Sequence, residues 1–141
     1  MNVRTLTGGC LCGAVRFHVE PPTKWCAHCH CQLCRKAHGA AFVTWVGVDE
    51  ENFRFTGGES ELNWYPSSEN GRRGFCRDCG STLFFRSPRW SGEIHIALPY
   101  FETPIDREPQ SHVYFDRHVT WLPLGDELPR YGGKSGTEQL D

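Results

Sequence analysis

Cys29-His30-Cys31-Gln32-Leu33-Cys34-Arg35-Lys36 is the stretch on which the reading of this chain turns, because it places three thiols within six residues. Two further pairs lie far to either side, Cys10-Leu11-Cys12 and Cys76-Arg77-Asp78-Cys79. In an extended segment, side chains two residues apart project to the same face. Cys10 and Cys12 therefore form a two-pronged clamp, as do Cys29 and Cys31, while Leu11 and His30 point the other way. The outer pairs predict one closed metal site, and the central cluster predicts a second with fewer ligands.

Eight cysteines in 141 residues need a use. The N-terminal Met1-Asn2-Val3-Arg4-Thr5-Leu6-Thr7 lacks the apolar core of a signal peptide, and no later run has the length of a membrane span. The expected location is the cytosol, where thiols stay reduced and cysteine clusters read as metal-binding or catalytic rather than as disulfides. A net charge of −2 with no block of like charge argues against a nucleic-acid binder that works by neutralising phosphates. The length suits a single domain, divided as a zinc-binding body over residues 1–124 and a loose, Gly-, Pro- and charge-rich tail over 125–141.

Alternating or β-branched and aromatic runs predict strands over residues 14–19, 25–31, 40–48, 53–55, 61–65, 73–75, 81–86, 93–98, 112–115 and 119–122. Residues 32–38 predict a short helix stopped by Gly39. Short strands at turn-bounded intervals, with at most one short helix, define a mainly β fold.

Each outer pair is followed by glycine, Gly13 or Gly80, which tolerates the backbone angles of a tight metal-binding turn. Four thiolates from Cys10, Cys12, Cys76 and Cys79 with no open position describe a structural zinc site. A redox dithiol at Cys76 and Cys79 is the competing use, and no βαβ pattern surrounds them. Cys29, Cys31 and Cys34 offer three thiolates and leave a fourth position on zinc open, as in catalytic sites. Three thiolates weaken the metal as a Lewis acid, so the centre suits a soft ligand such as a substrate thiol, and thiol–aldehyde chemistry fits better than hydrolysis.

Gly9-Cys10-Leu11-Cys12-Gly13, the central cluster, and Arg73-Gly74-Phe75-Cys76-Arg77-Asp78-Cys79-Gly80-Ser81 together resemble the glutathione-dependent formaldehyde-activating enzyme family, also called centromere protein V-like, across residues 7–123. The resemblance implies a β-tent fold of packed antiparallel sheets and two zinc ions per chain. It implies a structural zinc on Cys10, Cys12, Cys76 and Cys79, and a catalytic zinc on Cys29, Cys31 and Cys34. It also implies condensation of formaldehyde with glutathione to S-(hydroxymethyl)glutathione, formally a carbon–sulfur lyase reaction, with a small-molecule thiol as partner and neither nucleic acid nor membrane.

Cys26 departs from that pattern, and two readings of it stand: a fourth thiolate that closes the second site, or a buried free cysteine acting as a small hydrophobe. His38, four residues beyond Cys34, shares its helical face and reads as a proton relay or a surface residue. His95 and His112 read as packing or surface residues. Arg35 and Lys36 read either as solvated charges or as counter-charges to three thiolates that attract an anionic thiol. Phe42, Trp45, Trp64, Tyr65, Trp90 and Trp121 read as core, with one or two lining a pocket. The rival function is a non-catalytic zinc module that binds a protein partner.

Overall fold

The computed structural model describes residues 4–140, so the first three residues of the Met1-to-Thr7 stretch lie outside the described residues. Its strands are β1 (Leu6–Gly9), β2 (Arg16–Val19), β3 (Trp25–Cys29), β4 (Val43–Asp49), β5 (Phe53–Gly57), β6 (Leu62–Pro66), β7 (Arg72–Cys76), β8 (Thr82–Arg86), β9 (Glu93–Ala97), β10 (His112–Val113), β11 (Tyr131–Gly132) and β12 (Glu138–Gln139). The α-helix among the described residues is α1 (Gln32–His38). The chain is mainly β, as its patterning predicts. Among the described residues, no helix is long and apolar enough to cross a membrane.

Seven strands form the large sheet, in the order β10-β3-β4-β9-β8-β7-β6, and β1-β2-β5 form a smaller one. All neighbours within these sheets run antiparallel except β10, which joins β3 in parallel. Strand alternation divides the large sheet into two faces with different tasks. Val46, Val48, Phe84, Ile94 and Ile96 are all fully buried in one core cluster with Phe17 and Val19 of the small sheet. Phe84 sits among Phe17, Phe53, Phe55 and Trp64, with ring centroids 5.5–6.3 Å apart. Replacing Phe84 with alanine is expected to cost about 3–5 kcal/mol, because the rigid surrounding rings cannot close the void. A urea unfolding curve measures this, and a loss below about 1 kcal/mol would show the aromatic core collapsing freely.

The opposite face of the large sheet carries Cys29, Val43, Trp45 and Ala97, with Cys34 of α1 packed into the same cluster. The helix begins where β3 stops. Cys31 has an extended backbone at the N-cap, and its Sγ accepts from the N–H of Cys34 at 3.2 Å. Gly39 ends the helix in the left-handed region at φ 60°, returning its N–H to the Arg35 carbonyl. The glycine stop expected from sequence is what the structure shows.

The strand expected over residues 119–122 does not form, and β10 is two residues long. Tyr114 turns the chain into a short 3₁₀ segment at Phe115–Arg117, and Trp121 beyond it is 70% exposed. This apolar run meets no free strand edge, so its β-propensity has nothing to pair with. Trp121 and Tyr65 are both surface residues, not core. The segment beyond Gly125 returns to β10. The His112 N–H donates to the Pro129 carbonyl, and Asp126 Oδ2 lies 2.9 Å from His112 Nε2.

Candidate metal centres

The β1–β2 connection and the β7–β8 hairpin bring the outer cysteines together from opposite ends of the motif. In the hairpin, the Gly80 N–H donates to the Cys76 carbonyl and the Cys76 N–H to the Ser81 carbonyl, with Gly80 at φ 79°. The Leu11 N–H donates to Ser81 Oγ at 3.0 Å, tying one loop to the other. The Sγ atoms of Cys10, Cys12, Cys76 and Cys79 all lie within 4.8 Å of one another. Cys10 and Cys12 are separated by 3.6 Å, and Cys12 and Cys76 by 3.8 Å. A tetrahedron with zinc–sulfur bonds of about 2.3 Å has edges of about 3.8 Å, and these two separations match such an edge. Burial opposes ionisation of Cys79, but hydrogen bonds from Ser81 and Cys12 hold its thiol down to about 6. Neighbouring thiols of the set are pushed the other way, Cys12 up to about 12, because a charge on one sulfur opposes a charge on the next.

The second cluster gathers three sulfurs from a strand end, a helix cap and a helix: Cys29, Cys31 and Cys34. Cys29 and Cys34 Sγ stand 3.6 Å apart, again a tetrahedral edge. Hydrogen bonds from Cys29 and Cys31 pull the Cys34 thiol well below its ordinary range, with burial opposing and Arg73 and Trp45 adding to the pull.

Cys26 does not join it. Cys26 pairs with Val46 and both are fully buried in the core between the sheets, whereas Cys29 pairs with Val43 on the other face. Three residues along a strand reverse the side-chain direction, so the sheet itself separates the two thiols. The fourth-thiolate reading of Cys26 is thereby set aside, and burial raises its thiol to about 11. Replacing Cys26 with alanine is expected to cost on the order of 1 kcal/mol in stability while leaving the metal content per chain unchanged. Metal analysis beside a denaturation curve checks this, and a metal lost with Cys26 would contradict the face assignment.

His30 points away from the thiols, as the alternation predicts. It lies fully buried with Nε2 2.8 Å from His112 Nδ1, and His112 in turn meets Asp126. His112 is thus a buried link in a chain of polar contacts rather than a surface residue. His95 is buried too, with Nε2 2.9 Å from Glu93 Oε1 and an edge-on contact with Trp25. His38 does share the face of Cys34 but is no surface group: it packs edge-on against Trp45, and burial lowers it to about 4. Arg35 Nε donates to the His30 carbonyl and Lys36 is exposed. The cation that reaches the sulfurs is Arg73, which the sequence reading passed over: its Nη2 donates to Cys34 Sγ at 3.5 Å. No spacing rule points to it, because β7 brings it in from the far side of the sheet.

A small β protein with two separate cysteine clusters, one of four sulfurs and one of three, is the class that the fold and sites define. The model of the glutathione-dependent formaldehyde-activating enzyme family matches residues 5–117, and this chain belongs to that family. A Halomonas elongata protein named "Putative glutathione-dependent formaldehyde-activating enzyme" is 30% identical over 128 residues, covering 84% of this chain and 80% of its own length. A Schizosaccharomyces pombe protein named as an uncharacterized lyase is 33% identical over 81 residues, 55% of each chain. A crystal structure of a Rhodobacter sphaeroides protein shares the fold with a TM-score of 0.60 at 24% identity, covering 72% of this chain and 92% of that one.

Proposed function

We propose that the protein is a zinc-dependent carbon–sulfur lyase-type enzyme that joins a small thiol to an aldehyde. Glutathione and formaldehyde, giving S-(hydroxymethyl)glutathione, are the pair that family membership favours. In this reading Cys10, Cys12, Cys76 and Cys79 hold a structural zinc, and Cys29, Cys31 and Cys34 hold a catalytic one. The observation that carries it is the difference between the clusters: four sulfurs complete one tetrahedron, while three leave a corner of the other for a ligand.

Zinc at the second site would supply a soft Lewis-acidic centre that favours the thiolate form of a substrate sulfur. The chain's own residues do the rest. The cap interaction from the Cys34 N–H fixes Cys31, the end of β3 fixes Cys29, and Trp45 and Val43 wall the cluster from the sheet side. In the reaction the sulfur lone pair forms the S–C bond as the carbonyl π pair moves onto oxygen. The proton lost by the thiol is returned to that oxygen, so nothing is oxidised or reduced. The reverse step cleaves the same bond.

The test is metal content together with thiol exchange and turnover in the full chain. Two zinc ions per chain, one becoming labile to a chelator when glutathione is added, with formaldehyde-dependent loss of free glutathione, is the expected result. Two inert zinc ions and no consumption of glutathione would replace this reading with a non-catalytic zinc module that binds a protein partner.

A further inference from the structure

Arg73 is 4% exposed, and among the described residues no carboxylate forms an ion pair with it. A buried cation without an acidic partner is costly unless some other anion compensates it. Its Nε donates to the neutral Ser67 Oγ at 3.0 Å, and its guanidinium carbon lies 5.1 Å from the centre of the Phe85 ring. Its remaining contact is with the second cluster, from Nη2 to Cys34 Sγ at 3.5 Å. Nη1 is buried and has no hydrogen-bond partner at all. Native structures leave such donors open rarely, and a ligand acceptor is one ordinary reason.

The sheet explains why the residue stands here. Arg73 pairs with Phe85, Phe85 with His95, and His95 with Gly47, a single row across four strands on the face that carries Cys29 and Trp45. Arg73 is therefore built into the rigid floor of the site, whereas Arg35 is held by a backbone carbonyl and Lys36 faces solvent.

We propose that Arg73 is the anion-accepting residue of the second site: its fixed positive charge allows a three-thiolate centre to take a ligand that is itself anionic. This rests on the reading of Cys29, Cys31 and Cys34 as an open metal site. Zinc with three thiolates carries one net negative charge, and a substrate thiolate raises that to two. Without a buried counter-cation such a centre favours a neutral fourth ligand. The substrate class that follows is a thiol bound as thiolate, in preference to neutral donors such as imidazole.

The experiment uses the full chain with cobalt(II) in place of zinc, whose visible absorption reports the fourth ligand without requiring turnover. Wild type, R73Q and R73K are each titrated with glutathione, thiocyanate and imidazole. R73Q is expected to bind glutathione and thiocyanate at least about tenfold more weakly, with imidazole binding unchanged. R73K, which keeps the charge, is expected to retain the preference for anions. Equal anion binding in wild type and R73Q overturns the proposal while leaving the open site standing. Equal weakening for all three ligands also overturns it, since that marks a structural role. If R73Q fails to hold two metals per chain, R73K decides alone, and an R73K centre that prefers imidazole overturns the proposal. A wild-type spectrum that none of the three ligands alters refutes the open site and this proposal together.

Discussion

Replacing Cys76 with serine is expected to leave the chain without a stable fold at room temperature. Cys76 is fully buried at the end of β7, and its sulfur lies 3.8 Å from that of Cys12 on the β1–β2 connection. The cluster it belongs to ties the β1–β2 connection to the β7–β8 hairpin, beside the core in which the two sheets pack. Four-thiolate zinc binding contributes about 10–16 kcal/mol of apparent free energy in small domains, whereas whole-domain stability is only about 5–15 kcal/mol. Losing one ligand of four therefore removes a quantity comparable to the entire margin. The variant should have lost its cooperative thermal transition, or show it tens of degrees lower, and should bind less than one metal at this site. A strong chelator applied to the wild type should reproduce the effect. A C76S protein that melts within a few degrees of wild type would mean that the two sheets hold without the metal.

Cys34→Ser should give the opposite division, with the fold kept and the chemistry lost. Cys34 lies on a seven-residue helix packed over β4, and the helix cap depends on its backbone N–H rather than on its sulfur. The stability cost should be about 1–3 kcal/mol, mainly from the altered contact with Arg73, and should lower Tm by several degrees. The second metal, however, would be left with two thiolates. Metal analysis should fall from two per chain to one. The rate of glutathione consumption with formaldehyde should fall by more than the 10–100-fold or so typical of losing a mere outer-shell partner. Retention of full activity with one metal would move the reaction away from this cluster.

Much of this organisation is legible in the sequence. Cysteine pairs that end in glycine announce metal-binding turns, and the two outer pairs meet although 64 residues separate Cys12 from Cys76. The helix over Gln32–His38 was legible because a left-handed glycine marks its end locally. What escaped depends on strand register and on packing against distant elements. Arg73 stands beside the outer motif in sequence and serves the inner cluster in space, since alternation turns it to the face opposite Gly74 and Phe84. Arg35 and Lys36 carry the charge expected beside three sulfurs, but Arg35 is held by the His30 carbonyl and Lys36 is exposed. His95 and His112 gave no local sign of burial, because the carboxylates that meet them, Glu93 and Asp126, become partners only once the chain is folded. Residues 119–122 carried a strand-like composition with no edge to accept it.

The two-sided use of β3 has a consequence for how the chain avoids errors during folding. Along that strand Cys26 and His28 alternate with Ala27 and Cys29, and His30 and Cys31 continue the alternation as far as the helix cap. A slip of one residue against β4 would present imidazoles in place of sulfurs to the inner cluster and reverse every partner in the greasy interior. The native register is the one that turns Cys29 toward Cys31 and Cys34 and Cys26 toward the core, so closure of the inner cluster and packing of the interior favour the same pairing of β3 with β4.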